Sequence, residues 1–207
     1  MSCACHETFE SAIWPTKSRE TAMRPPAWIS ALQPVGVPRL EPLSLGSDLL
    51  GWHAEVRFER WSQRPGAPTL PWSDTYGKTQ IVGEGGARSV AEVELVRRLR
   101  AAGWSAGWVD TFGSAPAAWA SWIVTPDALP PPLRAAYVGI RAAATSSASG
   151  RPDVVGWRGD ALPDVVFVEY KGPNDDVRSG QESWFRTARE AGLSQDQLAV
   201  ARWREVL

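Results

Sequence analysis

The segment 164–171, DVVFVEYK, constrains the fold more than any other part of the chain. Its apolar residues predict a buried strand, in which side chains two residues apart point to the same face. Glu169 and Lys171 therefore share a face with Phe167. Buried charge is costly unless it is paired or bound to a metal. The strand therefore either emerges into water with a surface ion pair or carries a chemical site.

A second apolar segment, 152–157 (PDVVGW), includes Asp153 and predicts a neighbouring strand. If the two strands pair, Asp153 can lie beside Glu169. Two carboxylates about 4 Å apart repel by about 4 kcal/mol at an effective dielectric of about 20, and a divalent cation between them reverses that sign. Mg²⁺ prefers oxygen ligands and often takes one or two carboxylates. Pro-Asp-Val-Val recurs at 163–166, but Asp164 lies an odd number of residues from Glu169 and points to the opposite face, so we expect Asp153 to be the ligand.

A third acid comes from the helix that the sequence predicts over 89–102. Ser89-Val-Ala-Glu92 has the form of a capping box, and Gly103 is a natural stop. Glu92 falls on the apolar stripe, so it either caps its own helix or reaches the carboxylate cluster. Glu94, on the polar side, is the other candidate for the helix acid.

The order of elements after residue 89 predicts an α/β domain with a small mixed sheet. We expect the helix, a strand at 104–112, an insertion at 113–150, strands at 152–157 and 164–171, a helix at 179–191 and a strand at 197–203. The insertion contains a candidate strand at 119–124 and a short helix after its prolines. The residues before this domain comprise a poorly ordered, proline-rich extension at 1–50, a strand at 52–61, and a glycine-rich loop at 77–88 that lacks P-loop spacing.

Composition narrows the function classes. The formal net charge of −1 excludes a globally basic surface, so any nucleic-acid contact must be local. Only Cys3 and Cys5 are available for disulfides, no apolar run is long enough to span a bilayer, and no signal pattern is present, so we expect a cytoplasmic protein. With His6, these cysteines are too few and too close to make a metal site. His6 and His53 lie outside the regular core, which argues against a histidine-activated nucleophile.

Asp153 after a proline, followed by Glu169-Tyr170-Lys171, resembles the PD-(D/E)XK nuclease superfamily. The run 167–175, FVEYKGPND, followed by Gln181 and Trp184, resembles more narrowly a VRR-NUC domain, which occurs in Fanconi-associated structure-specific nucleases. Tyr170 stands where that family more often has Val. The resemblance covers residues 85–207 and implies a restriction-endonuclease-like core of order αβββαβ.

The resemblance also implies the site and its chemistry. Mg²⁺ or Mn²⁺ would be held by Asp153, Glu169, the backbone carbonyl of Tyr170 and Glu92. Lys171 would orient the attacking water and stabilise charge on the phosphate, and Gln181 would match the polar position that faces the site. DNA phosphates would be contacted by four arginines that lie near these acids in the sequence, Arg151, Arg178, Arg158 and Arg88.

The leading hypothesis is therefore a metal-dependent DNA nuclease acting in repair, recombination or defence. A second hypothesis is a nucleic-acid-binding module that keeps the fold and needs a helicase, another partner or a second identical subunit. A third is a non-catalytic α/β interaction protein whose motif is a coincidence. The intact set of Asp153, Glu169 and Lys171 favours the first over the second.

Overall fold

A computed structural model describes residues 26–32, 39–45, 48–63, 66, 78–110, 117–144, 150–160 and 164–205. The helices are α1 (Ile29–Leu32), α2 (Ala91–Ala101), α3 (Pro131–Ala143) and α4 (Ser179–Glu190). The strands are β1 (Leu40–Leu45), β2 (Asp48–Arg60), β3 (Gln80–Val82), β4 (Arg88–Val90), β5 (Ser105–Trp108), β6 (Val154–Arg158), β7 (Asp164–Lys171) and β8 (Leu198–Glu205). Short 3₁₀ turns lie at Trp61–Gln63, Glu84–Gly86, Ala117–Trp122, Pro126–Ala128 and Gln195–Gln197.

The strands form one mixed sheet in the order β4-β3-β2-β8-β7-β6-β5, with β1 also paired to β2. Strand β8 runs parallel to both of its neighbours, β2 and β7, whereas the other pairs are antiparallel. The order α2-β5-β6-β7-α4-β8 is the αβββαβ order expected from the sequence. The predicted fold class, an α/β core with a mixed sheet flanked by helices, is confirmed.

The sheet separates two apolar cores, and β7 contributes to both because its side chains alternate. Val166 and Val168 pack into the core that contains Leu99 of α2. Phe167 packs into the other core, where its ring centroid lies 5.1 Å from that of Trp184 on α4 in an edge-to-face contact. With apolar packing on both sides, β7 is held in a fixed register.

The structure corrects the predictions for the N-terminal part of the chain. Ile29–Leu32 is helical and Leu40–Leu45 is a strand, within a region predicted as a poorly ordered extension. Pro42 lies in β1, which pairs only with β2 among the described strands, and proline is tolerated on such an edge. The glycine-rich segment is a hairpin, β3–β4, rather than a loop, because Ile81 is fully buried and fixes it to the core. The sheet is consequently larger than predicted.

Two local predictions were also wrong. Ser89 does not cap α2, because it belongs to β4, where it pairs with Ile81, and its hydroxyl donates to the carbonyl of Val90. Val90 holds the N-cap position without a side-chain cap. The candidate strand at 119–124 is mostly a 3₁₀ turn, in which Ile123 alone makes a bridge to β5.

The described part of the chain contains no helix that is both long enough and apolar enough to cross a membrane.

Candidate active site

Asp153 and Glu169 meet because β6 and β7 are antiparallel neighbours. The last pair of their ladder is Val154 with Val168, so Asp153 immediately precedes the pairing and Glu169 immediately follows it. The backbone N–H of Tyr170 donates to Asp153 Oδ2 at 2.9 Å. Asp164 pairs with Arg158 at the opposite end of the ladder. The expected pairing of the two strands is therefore confirmed.

Glu169 is held by Lys171 and Gln181. Lys171 Nζ lies 3.1 Å from Glu169 Oε1, and both side chains are almost completely buried. The amide nitrogen of Gln181 donates to the same carboxylate. The Gln181 carbonyl in turn accepts the backbone N–H of Arg178 at 2.9 Å, which ties this side chain to the start of α4. Gln181 thus orients Glu169 from a fixed helix end.

The third acid at this end of the sheet is Glu92 rather than Glu94. Glu92 is 1% exposed, and its charge acts on Asp153. Glu94 is also buried but pairs with Arg97 and Arg98 on its own helix. Because Ser89 is part of β4, Glu92 is not needed for capping, and its side chain pairs with Lys78.

Lys78 belongs to the site, and the sequence reasoning missed it. Its Nζ lies 2.6 Å from Glu92 Oε1. The sequence predicts a loop at 77–88 without a chemical role, whereas the β3–β4 hairpin brings Lys78 to α2. A signal was available, because the chain has three lysines against nineteen arginines, and Lys78 is one of them.

The electrostatics of the cluster follow from burial and like charge. Burial, together with the charge of Glu92, raises the pKa of Asp153 from 3.8 to about 6, although Lys78 opposes the change. Burial and the charge of Asp153 raise the pKa of Glu169 well above its ordinary value. Burial disfavours the charge on Lys78, but Glu92 and the other carboxylates outweigh it and raise the pKa of this lysine. Asp153 and Glu169 thus hold their protons more tightly than free carboxylates, and a cation beside them would favour their ionised forms.

The donor set of this cluster fits a hard divalent cation. Glu92 Oε2 and Glu169 Oε2 are buried and make no hydrogen bond with the described residues. Within the described ranges, no three His, Cys, Asp or Glu side chains are grouped closely enough to form a metal site. Mg²⁺ commonly needs one or two carboxylates, with water and phosphate completing its shell. Asp153 and Glu169 meet that requirement, whereas Glu92 is engaged by Lys78.

The four arginines expected to contact DNA do not all lie at the site. Arg178 is at the N-cap of α4, with 73% of its side chain exposed, and Arg151 hydrogen-bonds Tyr137. Arg88 is exposed in β4. Arg158 lies five residues from Asp153 along β6, about 16 Å away at the rise of a strand, so it is not beside the acids. Its guanidinium lies 4.5 Å from the ring centroid of Trp104, and its contact with DNA stays a prediction.

Residues 1–25, which include Cys3, Cys5 and His6, lie outside the described residues, so the structure does not bear on them.

The fold and the site together resemble a known class of protein. An αβββαβ core places an aspartate at the start of one strand beside a Glu-x-Lys sequence at the end of the next, which is the arrangement of the PD-(D/E)XK nucleases. The VRR-NUC domain family matches residues 135–202, which contain Asp153, Glu169, Lys171 and Gln181. This part of the chain is VRR-NUC-like, as the sequence motif indicated. Glu92 and Lys78 lie before the matched residues.

Comparisons with curated proteins and with solved structures assign no function to the chain. No curated protein matches the chain. A solved structure, paFAN1 bound to a 5′-flap DNA with a two-nucleotide flap and a gap, matches with 22% identity and a TM-score of 0.31. The match covers 56% of this chain and 20% of paFAN1, so the chain spans a fifth of that protein's length. A TM-score of 0.31 is too low for this likeness to assign a fold or an activity.

Proposed function

We propose that this chain is a divalent-metal-dependent nuclease that hydrolyses DNA phosphodiester bonds, in repair, recombination or defence. The observation that carries the proposal is the meeting of Asp153, Glu169 and Lys171 at one end of the β6–β7 pair. Two buried carboxylates with raised pKa values beside an ammonium group are costly for a purely structural role. Such a cluster suits a cation and a phosphate.

Each side chain has a task in this chemistry. Asp153, Glu169 and the backbone carbonyl of Tyr170 would hold Mg²⁺ or Mn²⁺, which supplies a Lewis acid and a more acidic bound water. Lys171, held 3.1 Å from Glu169, positions its ammonium to orient the water and to stabilise the negative charge that develops on the phosphate. Gln181 keeps the Glu169 carboxylate in one orientation.

DNA would approach from the side where α4 begins. Arg178 is mostly exposed there, and its neighbour Asp175 lies 3.8 Å from both Arg178 and Lys171. An arginine contact with phosphate is independent of base sequence and weakens as salt rises. Replacing Arg178 by Ala should weaken binding to all DNA sequences alike and reduce its salt dependence.

The test is a cutting assay with single-stranded, duplex, flap and four-way DNA, each with and without Mg²⁺ or Mn²⁺. Cation-dependent cutting is expected, and Asp153→Asn or Lys171→Ala should remove it from folded protein. Asp164→Asn is the matched control, because it changes the same acid in the same Pro-Asp-Val-Val sequence at the exposed far end of β7. It should leave cutting unchanged.

Unchanged cutting by folded Lys171→Ala would overturn the proposal, since the activity would then belong to another site. DNA binding without cutting by the wild-type chain would instead favour a nucleic-acid-binding module. The engagement of Glu92 by Lys78 is the observation that favours this second candidate, because it removes one acid from a metal cluster.

A further inference from the structure

The β3–β4 hairpin brings Lys78 to the active site. Gln80 pairs with Val90 at one end of the antiparallel ladder, so Lys78 and Glu92 both lie two residues beyond that end, one on each side of the hairpin. The hairpin packs tightly on α2, because a Cβ added to Gly83 would lie 2.7 Å from the Arg97 guanidinium. The Lys78–Glu92 contact is therefore built into the fold.

The two lysines of the cluster neutralise different acids. Lys171 contacts Glu169 at 3.1 Å, whereas Lys78 contacts Glu92 at 2.6 Å. The Lys78 side chain is 33% exposed and that of Glu92 is 1% exposed, so the lysine reaches solvent whereas the carboxylate does not. The second oxygen of Glu92 is buried without a hydrogen-bond partner among the described residues. Glu92 thus retains one free ligand atom, next to a cation that the chain itself supplies.

We propose that Lys78 is a resident cation that occupies the place beside Glu92 and keeps a divalent ion from binding there. The site then takes one divalent ion, on Asp153 and Glu169, and Lys78 supplies the second positive charge. This inference rests on the proposed nuclease function and specifies its metal requirement. Lysine is suited to the role because its ammonium is a compact charge that repels a dication at short range.

The experiment counts bound Mn²⁺ on the full chain by isothermal titration calorimetry and by electron paramagnetic resonance. Wild-type protein should bind one ion. Lys78→Met, which removes the charge but keeps a long side chain, should bind two, and the second should be lost in Lys78→Met combined with Glu92→Gln. Lys78→Arg keeps a charge and should bind one.

Glu92→Gln alone should also bind one ion, because the first ion does not use Glu92. This variant retains Lys78, so it tests the assignment even if Lys78→Met fails to fold, which circular dichroism will show. Two ions on wild-type protein, one ion on folded Lys78→Met, or loss of the ion in folded Glu92→Gln would each overturn the inference.

A parallel cutting assay separates this inference from the proposed function. Wild-type protein that binds two ions and cuts DNA refutes the role of Lys78 and leaves the nuclease standing. Wild-type protein that binds no Mn²⁺ and does not cut DNA refutes both.

Discussion

Replacing Asp153 by Asn should stabilise the metal-free protein at neutral pH. Burial and the charge of Glu92 raise the pKa of Asp153 from 3.8 to about 6, which outweighs the opposing effects of the two lysines. A carboxyl whose pKa is raised by folding releases its proton less readily in the folded state, so stability falls as pH rises from the unfolded to the folded pKa. Two pKa units correspond to about 3 kcal/mol, and the whole of this loss is present above about pH 6.

The assay is equilibrium unfolding in urea, with a chelator present, across that pH range. The free energy of unfolding of Asp153→Asn should exceed that of wild type by about 3 kcal/mol at about pH 7.5, and the difference should shrink as pH falls towards about 4. Asp164→Asn, at the exposed end of β7, should match wild type throughout. Adding Mg²⁺ should stabilise wild type and narrow the gap, because a ligand that binds the folded state stabilises it.

A folded Asp153→Asn variant that is less stable than wild type at neutral pH would refute this reasoning. So would a stability difference that stays constant with pH, because removing the Asp153 charge changes the titration of Asp153 and of its neighbour Glu169. A less stable variant would mean that hydrogen bonding to Tyr170 and attraction to Lys78 outweigh burial and repulsion from Glu92.

Three further predictions concern the site and the sheet. Cutting should rise as pH increases through about 6, because Asp153 must be ionised to hold a cation, and a flat profile across that range would contradict this role. Replacing Gln181 by Ala should lower Mn²⁺ affinity by about 10-fold to 100-fold, as calorimetry would measure, because the Glu169 carboxylate loses the group that orients it; unchanged affinity would remove Gln181 from the site. Replacing Gly51 by Ala should destabilise the protein by about 1–3 kcal/mol in urea unfolding without changing Mn²⁺ affinity, because the new Cβ would lie 2.5 Å from the Leu198 carbonyl oxygen. An unchanged free energy of unfolding would show that β2 and β8 can move apart at this point without a cost in stability.

The αβββαβ core could be predicted from the sequence because its elements carry strong local signals. The alternation along β7 gave both its burial and the shared face of Glu169 and Lys171. The odd spacing between Asp164 and Glu169 predicts that they face opposite sides of β7, which leaves Asp153 as the candidate ligand. The β6–β7 pairing places the two aspartates at opposite ends of the ladder. Where one face of a strand is buried, the alternation of its side chains fixes its register, so a short sequence is enough to predict which residues share a face.

The alternation at 52–61 predicts β2, but β1, β3 and β4 could not be predicted in the same way, because they form by pairing with other strands. Strand β2 pairs in parallel with β8, about 150 positions later in the sequence, and no local pattern specifies that contact. Proline in β1 and glycines in the β3–β4 turn are typical of loops, yet an edge strand tolerates the former and a tight turn uses the latter. These segments are strands because Leu43 of β1 and Ile81 of β3 are buried in the core.

The pairing of Ser89 in β4 also explains why Lys78 could not be predicted as a site residue. A capping box would have used Glu92 to close its own helix, leaving no acid for the hairpin to meet. Because Ser89 instead pairs with Ile81, the strand runs directly into α2, and Glu92 faces back towards the residue that continues the opposite strand. The same register that removes the cap therefore creates the Lys78–Glu92 pair. Glu92 and its counter-ion Lys78 therefore both depend on Ser89 being part of a strand rather than a helix cap. The charge of the cluster is set by the β3–β4 hairpin as well as by Asp153, Glu169 and Lys171.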